Sequence, residues 1–377
     1  MHRVAISSTG LFTPPEVITN AELVASYNAY AALQNAQHAE AIAAGTHTAL
    51  TDSSVEFIEK ASGIQRRYVM EKSGVLDPTR MRPHFTPRPD TEISLMAEIA
   101  VKACQDALTA AGKTAADVDG VICAAANMQR PYPAMAVEIQ TALGVQGYGF
   151  DMNVACSSAT FALEQAVNAV RCGSARAVLV VNPEITSGHQ AWIDRDCHFI
   201  FGDVCTAILV ERLDLAPAGA FEVLGTKLLS TFSNNIRNNH GFMWRAEDRN
   251  PEDRDQLFRQ EGRKVFKEVC PMAAEHMEQH LQSLGLTPQQ VRRFWLHQAN
   301  LGMNQLIAKK LLGREATTDD APVILDEFAN TASAGSIIAF HRHHANIAAG
   351  EVGMICSFGA GYSIGSVVVK RLSSADA

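Results

Sequence analysis

Four short stretches of the chain carry groups that could act together on one carbonyl carbon. Asn153-Val-Ala-Cys-Ser-Ser-Ala-Thr160 sets Cys156 after a short apolar strand and at the head of a helix running through Phe161, Leu163, Ala166 and Val170. A thiol there meets unpaired backbone N–H groups and the positive end of a helix dipole, both of which favour thiolate. Leu296-His-Gln-Ala-Asn300 places His297 at a strand end, where a neighbouring group can fix its tautomer. Glu327-Phe-Ala-Asn-Thr-Ala-Ser-Ala-Gly-Ser336 offers the Asn330 amide at another helix start. Ser357-Phe-Gly-Ala-Gly-Tyr-Ser-Ile-Gly365 adds a Gly-rich turn whose N–H groups can point at an oxyanion. Nucleophile, imidazole, amide and oxyanion turn are the parts of covalent acyl transfer. The other cysteines (104, 123, 172, 197, 205, 270 and 356) lie mostly in apolar runs without metal-type spacing and read as small core residues.

The elements that must position these groups are written twice. Residues 111–128 run from a helix end through Gly112 and a polar turn into the apolar strand from Val121, and residues 284–301 repeat the arrangement. Gly112 answers Gly285, Thr114 Thr287, Val118 Val291, Ala126 Ala299 and Asn127 Asn300, all at one offset (285 − 112 = 173). Ala177-Val-Leu-Val-Val-Asn182 likewise answers Val352-Gly-Met-Ile-Cys-Ser357, and Asn330 follows Cys156 by 174 positions (330 − 156 = 174), each at a helix start. So long a period predicts two pseudo-symmetric halves, with Cys156 and Asn330 facing each other across the repeat. Apolar strands at 4–8, 121–125 and 177–181 alternate with amphipathic helices at 95–111 and 158–172, the pattern of a layered α/β body. The Ala-rich stretch 26–50, the Pro/Arg-rich stretch within 74–90 and the polar segment 231–261 interrupt it and read as insertions around an entrance.

The whole chain sets outer bounds on function. Its 377 residues are 47% apolar and 19% charged, a globular balance with enough material for a large core. A formal charge of −8 and the absence of any Lys/Arg block with interleaved aromatics argue against nucleic acid as a partner. The opening Met1-His-Arg-Val-Ala-Ile-Ser-Ser-Thr-Gly10 turns polar after a few residues, so it reads as a first strand rather than a signal or membrane segment. The expectation is a cytoplasmic protein without membrane insertion.

Taken together, the motifs resemble those of the β-ketoacyl-ACP synthase III family, where ACP is acyl carrier protein. The pieces that carry the likeness are Ser62-Gly-Ile-Gln-Arg-Arg67, the Cys156 turn, Phe201-Gly-Asp-Val204, Gly262-Arg-Lys-Val-Phe-Lys267, His297 to Asn300, Asn330-Thr331 and Phe358-Gly-Ala-Gly361, which span nearly the whole chain. The resemblance implies a thiolase-like, five-layered αβαβα fold of two duplicated halves, 1–215 and 216–377. It implies that an acyl-CoA primer acylates Cys156, with the backbone N–H groups of Cys156 and Ala360 around the oxyanion. Malonyl-ACP then loses CO₂ while His297 and Asn330 hold its thioester oxygen, and the carbanion attacks the acyl-cysteine. It also implies substrate contacts at Asn300, Tyr132, Phe57 and Phe358, with Tyr132 at the far end of the acyl pocket. Carrier-protein docking falls at Lys309 and Lys310, the assembly is a homodimer, and no metal or other cofactor takes part.

This sequence departs from the family's pattern at the CoA end. The tryptophan that members stack on adenine is Phe57 here, its nearby arginine is Ala61, and a basic position after His-Gln-Ala-Asn is Gly302. Lys60 or Arg66 could compensate. The inserted segments point to the long variant that takes a medium-chain primer, octanoyl-CoA giving a 3-oxodecanoyl product. Head-to-head acyl condensation or O-acyl transfer would retain the same three residues, and a non-catalytic scaffold would have lost them. A thiolase would need a second cysteine in a C-terminal Cys-x-Gly-x-Gly turn, and Cys356 has the wrong spacing; a hydroxymethylglutaryl-CoA synthase would need a glutamate, for which Glu184 is the candidate.

Overall fold

The computed structural model describes residues 1–250 and 253–373. Nine strands form the main sheet: β1 (Val4–Phe12), β2 (Gly120–Ala124), β3 (Tyr148–Met152), β4 (Ala177–Glu184), β5 (Val204–Arg212), β6 (Phe221–Ser233), β7 (Val291–Leu296), β8 (Val352–Gly359) and β9 (Gly361–Arg371). Their spatial order is β7-β8-β9-β6-β1-β5-β4-β2-β3. Six helices cover it: α1 (Leu95–Ala111), α2 (Met135–Leu143), α3 (Ser158–Arg171), α4 (Gly262–Ser283), α5 (Leu301–Leu312) and α6 (Gly335–His343). The ladder is parallel for β2 with β3 and β4 and for β7 with β8, and antiparallel elsewhere.

The sheet is two sheets in series. They join only where Ala5 and Ile6 of β1 pair with Glu222 and Phe221 of β6. Each side stacks helices on both faces, so strands such as β4, buried at every residue, read as unbroken apolar runs instead of alternating ones. One core packs α1 and α2 on the first half, one packs α4 and α5 on the second, and between them α3 and α6 share a central core built from Val178, Val180, Ile337, Ile338, Ile355 and Val367 among others. The layers are therefore αβαβα, the architecture expected from the resemblance. The expected division at 215/216 falls in the link between β5 and β6.

The duplication is visible residue by residue. Gly112 and Gly285 both take left-handed backbone, with φ of 65° and 71°, and both lead into a 3-10 turn with a capping box, Thr114 to Asp117 in one copy and Thr287 to Gln290 in the other. One sequence-derived pairing is wrong. The turns before α3 and α6 align at Asn153 with Asn330, Ala155 with Ala332 and Ser158 with Gly335, the same 177 positions apart that separate 332 from 155. Cys156 therefore answers Ser333, and Asn330 answers Asn153. The offset drifts from 173 to 177 because the halves differ in the loops before these turns, which an ungapped reading misses.

The insertions play unequal parts. Residues 26–50 supply most of a helix, Asn20–Gln37, capped by Thr19 and Glu22, which buries Tyr27 and Ala31 in a satellite core with Ile58, Trp192 and Phe199. The stretch 74–90 stays off the cavity described below. Only the segment 231–261, of which 251 and 252 lie outside the described residues, borders it. Most of the inserted chain is structural padding, contrary to the expectation for all three. Among the described residues no helix is long and apolar enough to cross a membrane.

Candidate active site

A cavity of about 900 Å³ runs from exposed Arg259, Gln260 and Arg263 down to Cys156, His297 and Asn330, all three on its wall. Phe57, Asn300, Phe358 and Gly359 line it as well.

Cys156 is set by a strained turn. Ala155 is held at φ 46°, a left-handed conformation costing a non-glycine residue about 1–2 kcal/mol. The Asn153 side chain offsets that cost by accepting from the Ala155 N–H at 2.9 Å and donating to the Ala126 carbonyl at 2.8 Å, each bond worth about 0.5–1.5 kcal/mol net. Gly359 makes room for the sulfur: a Cβ there would stand 2.6 Å from the Cys156 Cβ and 3.1 Å from its Sγ. The backbone N–H groups of Ala360 and of Cys156 itself face the sulfur and pull its pKa down. Burial and the nearby Glu184 carboxyl pull harder the other way, and the thiol is pushed up to about 12. The helix-start expectation of a ready thiolate is corrected here: α3 begins at Ser158, after a 3-10 turn over Ala155–Ser157, and burial of the thiol outweighs the pull of the two N–H groups. The two N–H groups are thus placed for an oxyanion, and the resting sulfur keeps its proton.

His297 takes the end of β7, its N–H bonded to the Cys356 carbonyl at 2.8 Å. Its ring is 1% exposed and edge-on to Phe358, with centroids 5.3 Å apart. Burial pushes its pKa down to about 4 against an opposing pull from the Ala332 backbone, so the imidazole is neutral at physiological pH. A neutral ring donates a hydrogen bond without first surrendering a proton. Asn330 is fixed through its backbone. Its N–H donates to Ile200 O at 2.9 Å and its carbonyl accepts from Gly202 N at 3.1 Å, the isolated bridge of Phe201 with Asn330. This explains Phe201-Gly-Asp-Val204: a Cβ on Gly202 would lie 2.5 Å from Phe328 O, and Asp203 pins the strand by accepting from Met70 N, Ser187 N and the Ser187 hydroxyl. The Asn330 Oδ1 accepts from Ala332 N at 2.9 Å, leaving the Nδ2 hydrogens for the cavity.

The remaining expected residues divide. Phe358 and Phe57 lie on the wall. So does Asn300, but its amide is committed: Oδ1 caps α5 through Gly302 N and Met303 N, and Nδ2 donates to Ala61 O at 2.6 Å. Tyr132 stands away from the cavity, 82% exposed, because its loop turns outward before α2. Lys309 and Lys310 are exposed on the last turn of α5, and Lys309 is bound to Glu315. Of the suggested compensating cations, Arg66 lies 3.7 Å from Glu327 and neither it nor Lys60 reaches the wall. Cys356, the thiolase-type candidate, is fully buried and its thiol is raised by burial, with no route to the cavity.

Two residues were missed. Arg195 lays its guanidinium 3.9 Å from the centroid of the ring of Phe57, a wall residue, though Arg195 itself is not on the wall; the pairing joins positions 138 apart and no local signal announces it. Gly359 is one of several glycines in its turn, and only the fold shows which one faces the sulfur. Glu184, weighed above as an acid, is 1% exposed and accepts bonds from Ala126 and Ser333 instead of facing the cavity as a wall residue.

Comparison with known proteins follows the same lines. Residues 150–230 match the family described as 3-Oxoacyl-[acyl-carrier-protein (ACP)] synthase III, and residues 281–371 match its C-terminal counterpart. The chain is 57% identical over 347 residues to the beta-ketodecanoyl-[acyl-carrier-protein] synthase of Pseudomonas aeruginosa, covering 92% of this chain and 99% of that one. It is 29% identical to the beta-ketoacyl-[acyl-carrier-protein] synthase III of Bartonella tribocorum, with 85% and 91% of the two chains covered. Among solved structures it shares its fold with the 3-oxoacyl-[acyl-carrier-protein] synthase III of Aquifex aeolicus (TM-score 0.75, 23% identity, 97% and 99% covered). The OleA of Xanthomonas campestris, solved with lauric acid and lauroyl-CoA, has the fold too (TM-score 0.74, 16% identity, 98% and 99% covered).

Proposed function

Because the chain belongs to the 3-oxoacyl-[acyl-carrier-protein] synthase III family of condensing acyltransferases, we propose that it moves a medium-chain acyl group from CoA to Cys156. It then joins that group to malonyl-ACP, octanoyl-CoA giving 3-oxodecanoyl-ACP. The observation that carries this reading is the Cys156 sulfur, faced by the N–H groups of Ala360 and Cys156 on the inner wall of a cavity that also holds His297 and Asn330.

The chemistry follows from the protonation states. The thiol attacks the CoA thioester, the new C–S bond forms, and the carbonyl oxygen takes up charge between the two N–H groups; as the carbonyl re-forms the acyl–CoA C–S bond breaks, and CoA leaves as a thiol carrying the proton given up by Cys156. Malonyl-ACP next places its thioester oxygen toward neutral His297 and the Asn330 amide. Cleavage of the carboxylate C–C bond releases CO₂ and sends the electron pair into an enolate that those donors hold. The enolate carbon attacks the acyl carbonyl, the acyl C–S bond breaks, and Cys156 leaves as thiolate that takes a proton from solvent. Phe57, backed by the Arg195 guanidinium stacked on its ring, offers an aromatic surface for the purine of CoA, and Arg259 and Arg263 supply charge for its phosphates at the mouth. The partner for the second step is ACP, met by the basic end of α5 at Lys309 and Lys310.

A homodimer forms along β3. That strand is a free edge of the nine-stranded sheet, and Tyr148 and Phe150 stack there at 6.4 Å and stay 37% and 40% exposed. Tyr132, out of reach of its own cavity, serves an acyl pocket only across such an interface.

Mass spectrometry of the enzyme after exposure to an equimolar pool of acetyl- to dodecanoyl-CoA tests the reading. Octanoyl on the Cys156 peptide is the expected adduct, and native spectra of the same sample should show twice the 40.7 kDa chain mass. Faster condensation of acetyl-CoA than octanoyl-CoA would overturn the primer assignment, and an adduct on another residue would overturn the site.

A further inference from the structure

Glu184 ends β4 in the position that Gly359 takes at the end of β8, since β4 and β8 are the same strand of the two copies. Gly359 leaves a gap that the Cys156 sulfur fills. Glu184 instead projects a carboxyl into the second copy's turn. Its Oε1 accepts from Ser333 N at 3.1 Å, from the Ser333 hydroxyl, and from Ala126 N at 3.0 Å. One oxygen thus touches the second turn directly and, through Ala126, the loop that holds the first. From it a continuous chain of bonds leads each way. Ala126 O accepts from Asn153, whose Oδ1 holds the residue before Cys156; Ser333 follows Ala332, whose N–H is held by Asn330.

We propose that Glu184 is a positioning residue for condensation, a strut that sets the separation between acyl-Cys156 and the enolate held at Asn330 and His297. All three partners of Oε1 donate, so an acceptor is required there, and the site is 1% exposed, so water does not replace a lost bond freely. The strut rests on the condensing reaction proposed above, yet it does not touch either substrate. Its removal therefore leaves each half-reaction its own groups and spoils their registration, where a misplacement of about 1 Å costs up to ~10²-fold.

The test uses the full chain with Glu184→Ala, Glu184→Gln and Ser333→Ala, each compared with wild type by thermal melt. Three rates are read: octanoyl transfer from octanoyl-CoA to Cys156, CO₂ release from malonyl-ACP, and 3-oxoacyl product. For Glu184→Ala we expect product formation to fall by ~10–100-fold, the range for supporting residues behind a reacting shell. The two half-reactions should stay within about threefold, so CO₂ released per product formed rises. Ser333→Ala, which removes one donor and keeps the carboxyl, should show the same uncoupling in smaller measure. Glu184→Gln, which retains an acceptor oxygen, should recover most of the loss. If Glu184→Ala fails to fold, Ser333→Ala decides. A parallel fall of all three rates, an unchanged ratio of CO₂ to product in Ser333→Ala, or a Glu184→Gln enzyme as uncoupled as Glu184→Ala would overturn the strut. Wild-type enzyme that leaves Cys156 unacylated would instead overturn the function on which it rests.

Discussion

The two turns that open α3 and α6 share one backbone and have opposite fates. In both, an asparagine accepts from the N–H two residues on and an alanine is held left-handed, at φ 46° and 48°. In the first, the next residue is a cysteine that meets a glycine and opens onto the cavity. In the second, it is a serine that meets a glutamate and is fully buried. Duplicating the turn therefore does not duplicate its thiol. The strand residue opposite the turn, Gly359 or Glu184, decides whether the position opens onto the cavity or is closed off, and the partner asparagine, Asn330, lies on the cavity wall.

The largest effects should come from breaking the division of labour directly. Cys156→Ala should abolish acyl transfer, by at least ~10³-fold, while leaving CO₂ release from malonyl-ACP measurable. Asn330→Ala should do the reverse, cutting CO₂ release by about 10²–10³-fold, the range for one oxyanion donor, with octanoylation of Cys156 nearly intact. Equal losses of both rates in both variants would show that the two turns are not separable. Gly359→Ala is an intermediate case. Its φ is not left-handed, so the whole effect is steric: the Cβ would displace Cys156, slowing acylation by ~10–100-fold and costing about 1–3 kcal/mol of stability in denaturant melts. Wild-type acylation kinetics in that variant would mean the open turn has slack the geometry denies. The last test changes no residue and concerns pH. A thiol raised to about 12 gains thiolate ~tenfold per pH unit below that value, so iodoacetamide labelling of Cys156 should climb steadily from pH 7 to 10. His297, lowered to about 4, stays neutral across this range and adds no step. A plateau near pH 8 would restore the ready thiolate expected from the helix start.

Much of this was legible because it is local. Gly112 and Gly285, Thr114 and Thr287 announce the repeat through backbone and capping requirements that a few residues satisfy alone. His-Gln-Ala-Asn and the Cys156 turn are contiguous and carry their chemistry in their order. The pairing of Cys156 with Asn330 went astray because loops of unequal length shift the register between copies, and side-chain identity at helix starts cannot count gaps. Tyr132 was placed by family pattern, whereas its outward loop depends on what packs behind it. The stacking of Arg195 on Phe57 joins segments with no shared period, so nothing in either stretch points to the other.

By itself, then, the sequence determined the layered duplicated body and singled out the thiol, imidazole and amide that the fold brings to one cavity, since strand runs, helix caps and reactive side chains are properties of short stretches. Tertiary structure alone decided that the Cys156 sulfur keeps its proton, that His297 is neutral, and that Glu184 ties the Ser333 turn to Ala126. Those are matters of burial and of neighbours from both halves of the chain, and desolvation exists only once the chain has closed around the group.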